Sequence, residues 1–522
     1  MIVLIGLLAV SVFSSVLKVG WTVEPDSVSP FIAYNLPAAE VFLLLYDPLV
    51  ALDEKEEPVG KIAESWELSE DLLTWTFNLQ EGIRWHDGEL LTAKDVKFTY
   101  ELFMNSGLGL FSGFLSGIEA IECPDDLTVL IHTAEPKANM LMGNTPILPM
   151  HIWETVAEED LELWENEPAV GSGAFTFFEW RKGEYLRLKR NADYYIDEAK
   201  VDEVVFILFA NNDTLAQALK TGEISAAVNI NPMQLQQLSQ SPNLMAVSSP
   251  GYGFTQLAFN CWESEDSKGH PALLDKRVRQ AIDWALDKKT ILDMTYLGQG
   301  EVGTTLLPPI LRKWHYRLSD SERRDYNPEK ANELLASSGY PMGKRGVRID
   351  SKGNELIFRL YVRSSNTQEI KAGQMIKKYL QAIGIEAAIE TVDDGLLMDL
   401  IYADADFDMF IWGWGTDVDP TTILNVMSTD EIFGLSDCFY SNEEYDRLLS
   451  VQATLMDELE RQQAIFKMQR ILYEDSPYVI LFYDNEFQAV RTDLFSGWKR
   501  IPENGAFFFT INANNYVTVT PK

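Results

Sequence analysis

Short hydrophobic runs alternate with amphipathic segments along most of the chain, and Gly, Pro, Asn or Asp often stands between them. The segment that begins at Thr92 has apolar residues at helical spacing, and Asp95 follows Thr92 as in a capping box. Asp275 and Asn327 precede two further segments with the same spacing. These positions therefore predict the N-termini of three helices.

The second half of the chain reads as alternating strands and helices. Strands are predicted at 357–362 and 385–391, with a helix at 371–383 between them. This order predicts α/β lobes built on open sheets, whose ligands lie beyond the ends of the strands. A further buried strand, 409–412, runs directly into a Gly-rich aromatic segment, 413–420.

Two aspartates in that segment have different predicted roles. Asp419 precedes Pro420 and is expected to cap the helix that follows. Asp417 has no such local task in the sequence, so it is a candidate to hold an ammonium or hydroxyl group of a ligand. An ordinary turn aspartate is the alternative interpretation.

The same segment carries two tryptophans at alternate positions of the predicted strand. Trp412 and Trp414 therefore share one face, which suits a platform on which a flat or apolar ligand group stacks. The alternative is that both side chains fill the core.

Composition bounds the class of protein. The 522 residues exceed one ordinary core, and 46% hydrophobic and 23% charged residues are typical of a folded globular protein. The net charge of -36 would repel nucleic acid and anionic membranes, so we expect neither as a partner.

The first residues predict export. The apolar run that opens the chain resembles a secretory signal that lacks its basic n-region, so we expect a signal peptide at 1–15 and a secreted, periplasmic protein. No cysteine lies near this segment to carry a lipid.

Metal and catalytic motifs are not evident. Cys123, Cys261 and Cys438 are far apart and lack zinc spacing, which leaves one disulfide open. The five histidines show no paired spacing, and no catalytic constellation stands out. We therefore expect no metal, no cofactor and no enzymatic activity.

Several longer motifs resemble the extracellular solute-binding proteins of family 5, which serve peptide, nickel and oligosaccharide uptake. The matching segments are 58–67, 75–79, 82–88, 91–98, 171–175, 189–195 and 277–282, and they cover nearly the whole chain after the leader in the family's order.

The resemblance implies a two-lobed flytrap fold with an extra subdomain on the first lobe. The implied boundaries are a lobe I core of 16–45, 169–251 and 482–522, a lobe I subdomain of 46–168 and a lobe II of 252–481, with crossings near Gly251 and Phe482. It also implies a monomer that closes around a small ligand and delivers it to the permease and ATPase subunits of an ABC transporter.

The resemblance also implies ligand-binding residues. In peptide-binding members the place of Asp417 receives the amino group of the peptide, and the strand at Gly413 to Gly415 pairs with its backbone. The facing turn corresponds to Tyr34, Asn35 and Leu36.

Two departures keep the ligand open. Ile411 stands where some oligopeptide binders have an arginine, and Tyr34 stands where some members have an acidic residue. A di- or oligopeptide is the leading prediction, an oligosaccharide on the aromatic residues is the alternative, and the few histidines disfavour nickel.

Overall fold

The computed structural model describes residues 15–109, 111–503, 505–508 and 513–522. The predicted signal peptide, 1–15, lies outside the described residues except for Ser15. Among the described residues no helix is both long and apolar enough to cross a membrane.

Strands occur throughout the described chain. They are β1 Val16–Trp21, β2 Val50–Leu52, β3 Pro58–Gly60, β4 Ala63–Leu68, β5 Thr74–Leu79, β6 Ile118–Asp125, β7 Thr128–Thr133, β8 Phe175–Arg181, β9 Tyr185–Arg190, β10 Glu203–Leu208, β11 Ala226–Ala227, β12 Leu244–Phe259, β13 Glu301–Val302, β14 Ile357–Arg363, β15 Glu386–Val392, β16 Met409–Gly415, β17 Tyr478–Arg491, β18 Phe495–Ser496 and β19 Thr520–Pro521.

Helices alternate with these strands. They are α1 Leu36–Leu45, α2 Ala93–Ser106, α3 Met150–Trp153, α4 Asn212–Thr221, α5 Pro232–Leu238, α6 Lys276–Ala285, α7 Lys288–Tyr296, α8 Pro328–Ser337, α9 Thr367–Ala382, α10 Asp394–Met398, α11 Thr421–Asn425, α12 Glu443–Thr454, α13 Glu458–Asp475 and α14 Asn514–Thr518. A π-helical turn, Asp399–Ala403, follows α10. The prediction of a mixed α/β protein is confirmed.

The three predicted helix N-termini are confirmed, because each side chain meets the backbone of its own first turn. Thr92 and Asp95 form the capping box of α2, Asp275 accepts from the backbone of Arg277, and Asn327 accepts from that of Lys330.

The chain divides into two compact units. The first contains 15–132, 143–247 and 487–522, and the second contains 133–142 and 248–486. The chain passes from one unit to the other inside β12 and β17, and again at both ends of the segment 133–142.

In the first unit β1 lies between parallel β10 and parallel β11. Antiparallel β9 and then β8 continue the sheet beyond β10, while β11 pairs with the end of β17. A separate sheet in the order β4-β5-β7-β6 belongs to the predicted subdomain range.

The Gly171 to Gly173 motif, shared with the resembled family, has a structural role in this unit. The Gly171 N–H donates to His86 Nδ1 at 3.1 Å, so Nε2 carries the proton and donates to the Gly173 carbonyl at 3.1 Å. Burial lowers the pKa of His86, which keeps the ring neutral as this pair of bonds requires. The Gly173 N–H donates in turn to the Leu45 carbonyl at the end of α1.

Gly171→Ala is expected to destabilise the protein by at least about 3 kcal/mol. A Cβ at this position would stand 1.9 Å from the Leu45 carbonyl oxygen, a backbone atom that has no room to yield. Gly113→Ala is the matched control, because its Cβ meets no atom within 4 Å. The thermal midpoints of the two variants test this, and similar midpoints would contradict it.

In the second unit the strands lie in the order β15-β14-β16-β12-β17. β14 is parallel to β15 and β16, whereas β16 is antiparallel to β12. α6 and α9 cover one face of this sheet, where Leu257, Leu360 and Ile411 share a core with Val278 and Ile376.

Two boundaries in this unit differ by three or more residues from the predicted ones, whereas the other ends of these strands and of this helix lie within one residue of the prediction. α9 begins at Thr367 rather than 371, because the Asn366 side chain accepts from the backbone of Gln368 and Glu369. β16 continues to Gly415 rather than ending at 412, because β12 pairs with it along its whole length.

Candidate functional site

Strand β16 carries two different faces at its C-terminal end. The cross-strand pairs are Gly253 with Gly415 and Thr255 with Gly413 on one face, and Phe254 with Trp414 on the other. Trp412 alternates with Gly413 and therefore lies on the face of Trp414, as the sequence predicts.

The face opposite the tryptophans is made largely of glycine. Gly251 and Gly253 of β12 and Gly413 and Gly415 of β16 all occupy it, and we call these four residues the glycine floor. No atom lies within 4 Å of the place where a Gly415 Cβ would stand, so the space above that residue is open.

One edge of β16 is only partly paired. β12 follows the other edge along the whole strand, but β14 pairs with β16 only as far as Tyr361 with Phe410. No strand in the described part of the chain pairs with β16 beyond that point on the β14 side. We call this part of the strand the open edge.

Hydrogen-bond parity decides which backbone groups face the open edge. The Thr416 N–H donates to the Tyr252 carbonyl at 2.9 Å, so residues at alternate positions from Thr416 turn their backbone groups toward β12. Gly413 and Gly415 have the opposite parity. Their N–H and C=O groups therefore point to the open edge, and glycine lets another backbone approach closely.

Asp417 lies in the loop just past β16. The residue is exposed at the surface, and partial desolvation of its carboxylate raises its pKa to about 6. A hydrogen bond from the Thr422 side chain acts in the opposite direction, and the Asp419 charge adds to the rise. Asp417 thus has a local partner in Thr422 that the sequence reading missed, and no lysine or arginine of the described chain contributes to its pKa.

Asp419 is structural, as its sequence position predicts. Its Oδ1 accepts from the Thr421 N–H at 3.0 Å at the start of α11. Its Oδ2 lies 2.6 Å from Nη1 of Arg461, and both side chains are buried. A buried aspartate paired in this way is not available to a ligand.

Both tryptophans are held by charged neighbours. The Arg363 guanidinium lies over the Trp412 ring, 4.7 Å from its centroid. The Trp414 Nε1–H donates to Asp437 Oδ2 at 3.0 Å, and the Tyr478 hydroxyl donates to the other oxygen. Burial raises the pKa of Asp437 to about 6. Both rings are half-buried, so they neither fill the core completely nor form a fully exposed stacking platform, the two interpretations of the sequence.

Arg363 is a candidate ligand residue that the sequence analysis missed. Its Nε and Nη2 donate to the buried Glu369 carboxylate, while Nη1 has no hydrogen-bond partner in the described chain. Ile411, at the place of the family's arginine, is fully buried in the core. The sequence shows only an arginine at the end of a predicted strand. The pairing of β14 with β16 brings this arginine beside Trp412, and the sequence does not reveal that pairing.

The predicted turn of Tyr34, Asn35 and Leu36 lies in the first unit. Asn35 is the N-cap of α1, since its Oδ1 accepts from the Ala38 N–H and its Nδ2 donates to the Glu24 carbonyl. Tyr34 and Leu36 are 76% and 69% exposed. The structure thus groups residues 412–417 in one unit and residues 34–36 in the other.

No described group of three or more His, Cys, Asp or Glu side chains is arranged to hold a metal ion. The site therefore consists of backbone donors and acceptors, two aromatic rings, an aspartate and an arginine. Groups of these kinds are typical of sites that fix the orientation of a small ligand.

Comparison with known proteins places this geometry in a family. The chain is 26% identical over 501 residues to the oligopeptide-binding protein AppA of Bacillus subtilis (strain 168), covering 94% of this chain and 90% of that protein. It is 28% identical over 459 residues to di/tripeptide-binding protein 1 of Pseudomonas aeruginosa (strain UCBPP-PA14), covering 82% and 81%.

The fold is also that of a solved relative. The structure of AppA from Bacillus subtilis in complex with a nonapeptide matches 97% of this chain and 99% of that chain, with a TM-score of 0.81 and 25% identity. The two-lobed fold predicted from the sequence is thereby confirmed. The family model of bacterial extracellular solute-binding proteins, family 5, matches residues 57–433. The chain belongs to this family of extracellular solute-binding proteins.

Proposed function

We propose that this protein captures di- or oligopeptides for an ABC uptake transporter and hands them to a membrane permease. The observation that carries the proposal is the open edge of β16, which ends beside Asp417. Relatives named as oligopeptide- and di/tripeptide-binding proteins support it.

The open edge offers the hydrogen-bond pattern of a missing strand. Gly413 and Gly415 each present one N–H and one C=O, and an extended peptide supplies the complementary groups. Because these bonds involve only backbone atoms, they bind peptides of many sequences.

Asp417 is the proposed partner of the peptide's amino group. A partly desolvated carboxylate gains when a cation arrives, since the charge-assisted bond replaces lost hydration. The alternative is that Asp417 is an ordinary turn aspartate. That role accounts for the Thr422 hydrogen bond, but it gives no reason for a carboxylate with a raised pKa and no neighbouring cation.

Arg363 is the proposed partner of the peptide's carboxylate. Its free Nη1 lies beside Trp412, at the opposite end of the open edge from Asp417. Trp412 and Gly415 are three strand steps apart, about 10 Å at ~3.3 Å per residue. A ligand of about three residues that runs antiparallel to β16 matches this spacing.

The oligosaccharide alternative is not favoured. Its support was an aromatic platform, but the Arg363 guanidinium already lies over one face of Trp412 and reduces the surface on which a sugar ring could stack. The relatives reported above are named as oligopeptide- and di/tripeptide-binding proteins.

The proposal includes the remaining parts of the transport cycle. A monomer in the periplasm closes its lobes about the strands near Gly251 and Phe482, and the closed form engages the permease and ATPase. It performs no catalysis, since the site holds its ligand by backbone bonds and two charges. Tyr34, Asn35 and Leu36 line the ligand from the first lobe.

Trialanine is expected to raise the melting temperature of the protein, whereas maltotriose and cellobiose are not. A ligand at 100 times its Kd adds about 2.7 kcal/mol to the free energy of unfolding. The measurement is a thermal-shift series with each ligand, followed by calorimetry on those that shift it.

N-acetylated trialanine amide is the matched control, because it keeps the backbone and lacks both charges. A shift by the sugars alone would contradict the proposal. So would release of free alanine from trialanine, which would indicate a peptidase.

A further inference from the structure

Asp437 is a buried carboxylate that the peptide contacts proposed above do not use. It lies between α11 and α12 and is 1% exposed. Its Oδ2 accepts from Trp414 Nε1 at 3.0 Å, and its Oδ1 accepts from the Tyr478 hydroxyl. Burial raises its pKa, and no lysine or arginine of the described chain contributes to that pKa. Two neutral donors therefore stabilise its charge, and one of them belongs to the candidate site.

The Trp414 ring depends on this bond for its orientation. The ring is half-buried, so packing covers only part of it, and its buried cross-strand partner Phe254 lies on the side of β12. The Nε1–H is the only polar group of the indole, and its bond to a carboxylate is roughly twice as strong as one between neutral groups. Asp437 therefore fixes the direction in which the N–H edge of the ring points.

Tyr478 holds the carboxylate in turn. It is the first residue of β17 and is 7% exposed, so its own position is set by the sheet. Its hydroxyl donates to Asp437, and β17 belongs to the same sheet as β16. The bonds from Tyr478 through Asp437 to Trp414 thus tie the ring back to the sheet that carries it.

The ring offers carbon atoms to the open edge. Its one donor is used by Asp437, so it has no hydrogen bond to give a ligand. A peptide paired with β16 would lie one strand spacing away, about 4.8 Å, and side chains of adjacent strands on the same face approach to about 5 Å. Every second side chain of the peptide would therefore contact the face that carries this ring.

We propose that Asp437 and Tyr478 are positioning residues that orient the Trp414 ring, and that this ring selects apolar side chains at every second position of a bound peptide. The inference rests on the proposed peptide-binding function. The positions between them lie over the glycine floor, where Gly413 and Gly415 carry no side chain that could distinguish apolar from polar groups.

The test uses calorimetry on the full protein with trialanine and its derivatives. Leucine and asparagine, which have similar shapes, replace each alanine in turn. At positions of one parity leucine is expected to bind about tenfold tighter than asparagine, because contact with the ring favours an apolar side chain. At the other parity the two should agree within about twofold. The ratio of the two affinities cancels any change that both peptides share.

Variants of Asp437 test its positioning role. Asp437→Ala is expected to reduce the leucine preference to about twofold, since the indole N–H loses its acceptor. Asp437→Asn should keep most of the preference, because its amide oxygen still accepts from Trp414. Trp414→Phe keeps an aromatic ring without the N–H, so adding Asp437→Ala to it should change the ratio by less than about twofold.

Two further variants guard against a general effect on the fold. Asp475→Asn is the matched control, because Asp475 accepts from the Tyr440 hydroxyl at 2.7 Å in the same unit and contacts neither tryptophan. It should keep the full leucine preference. Tyr478→Phe leaves Asp437 in place with one donor fewer, and it is expected to lower the preference about threefold even if Asp437→Ala does not fold.

Each other outcome overturns the inference. A full leucine preference in Asp437→Ala, or in Tyr478→Phe, would mean that packing alone orients the ring. An equal loss in Asp475→Asn would assign the effect to a general loosening of the unit. If peptides bind through Asp417 but leucine equals asparagine at every position, the selection fails and the proposed function stands. If no peptide binds, the proposed function fails and this inference fails with it.

Discussion

Asp417→Ala is expected to weaken trialanine binding by about 100-fold, because the peptide ammonium would be left enclosed without its counter-charge. The unliganded variant should melt no lower than the original protein. The loss of the Thr422 bond is offset by removal of a carboxylate that its surroundings destabilise.

Asp430→Ala is the matched control, since this exposed aspartate follows in the same unit and belongs to no proposed contact. Calorimetry on both variants gives the comparison. A loss below about threefold in Asp417→Ala would mean that another group holds the peptide's amino end.

The pH profile adds an independent readout of the same contact. Only ionised Asp417 binds the ammonium, so the affinity should fall about tenfold per pH unit below its pKa of about 6. Above pH ~8 the peptide's own amino group loses its charge and the affinity falls again. Asp417→Asn is expected to lose the acid limb. If the affinity of Asp417→Asn still falls at acid pH, the remaining decrease reports protonation of Asp437, whose pKa is also about 6 and which accepts a hydrogen bond from Trp414.

Asp283→Ala is expected to lower the free energy of unfolding by about 3–5 kcal/mol, the largest stability effect we foresee outside the glycine motif. Asp283 Oδ2 accepts from Arg324 Nε at 2.7 Å, and Oδ1 accepts from Lys288 Nζ at 3.0 Å. All three side chains are buried, so the substitution leaves two enclosed cations unpaired.

Asp293→Ala is the control, because Asp293 forms a similar pair with Lys289 that is largely exposed and worth about 0–1 kcal/mol. Urea unfolding of each variant provides the free energies. A difference below about 1 kcal/mol between the two variants would contradict the expectation.

Lowering the pH should reduce the difference in the free energy of unfolding between Asp283→Ala and the original protein. Burial alone would raise the pKa of Asp283, but the charges of Lys288 and Arg324 outweigh it and lower the pKa. The stabilisation is therefore complete above the unfolded-state value of about 3.9 and is lost as the pH falls through the lower folded-state value.

Local signals in the sequence located much of the fold. The caps at Thr92, Asp275 and Asn327 are contacts between neighbouring residues, and sequence alone describes such contacts. β16 was predicted too short for the opposite reason. Its last three residues include two glycines, which have little strand preference of their own, and the distant strand β12 imposes the extended conformation.

The candidate site also contains residues that the local sequence identifies and residues that only the pairing of distant strands identifies. Asp417 and the two tryptophans stand out locally, because they interrupt a glycine-rich segment. Arg363 does not, since the chain separates it widely from Trp412 and only the pairing of β14 with β16 joins them. The glycine floor combines residues from two distant strands, so its existence depends on a register that no single segment encodes.

The floor also fixes the direction in which selectivity can change. Glycine is the smallest residue, so every substitution at Gly253, Gly413 or Gly415 adds bulk and reduces the space above these strands. Substitutions at these positions can therefore narrow the range of ligands that the protein binds, but they cannot widen it. A homologue with larger residues at the glycine floor would have room only for smaller ligand groups. Only a return to glycine would restore the original space.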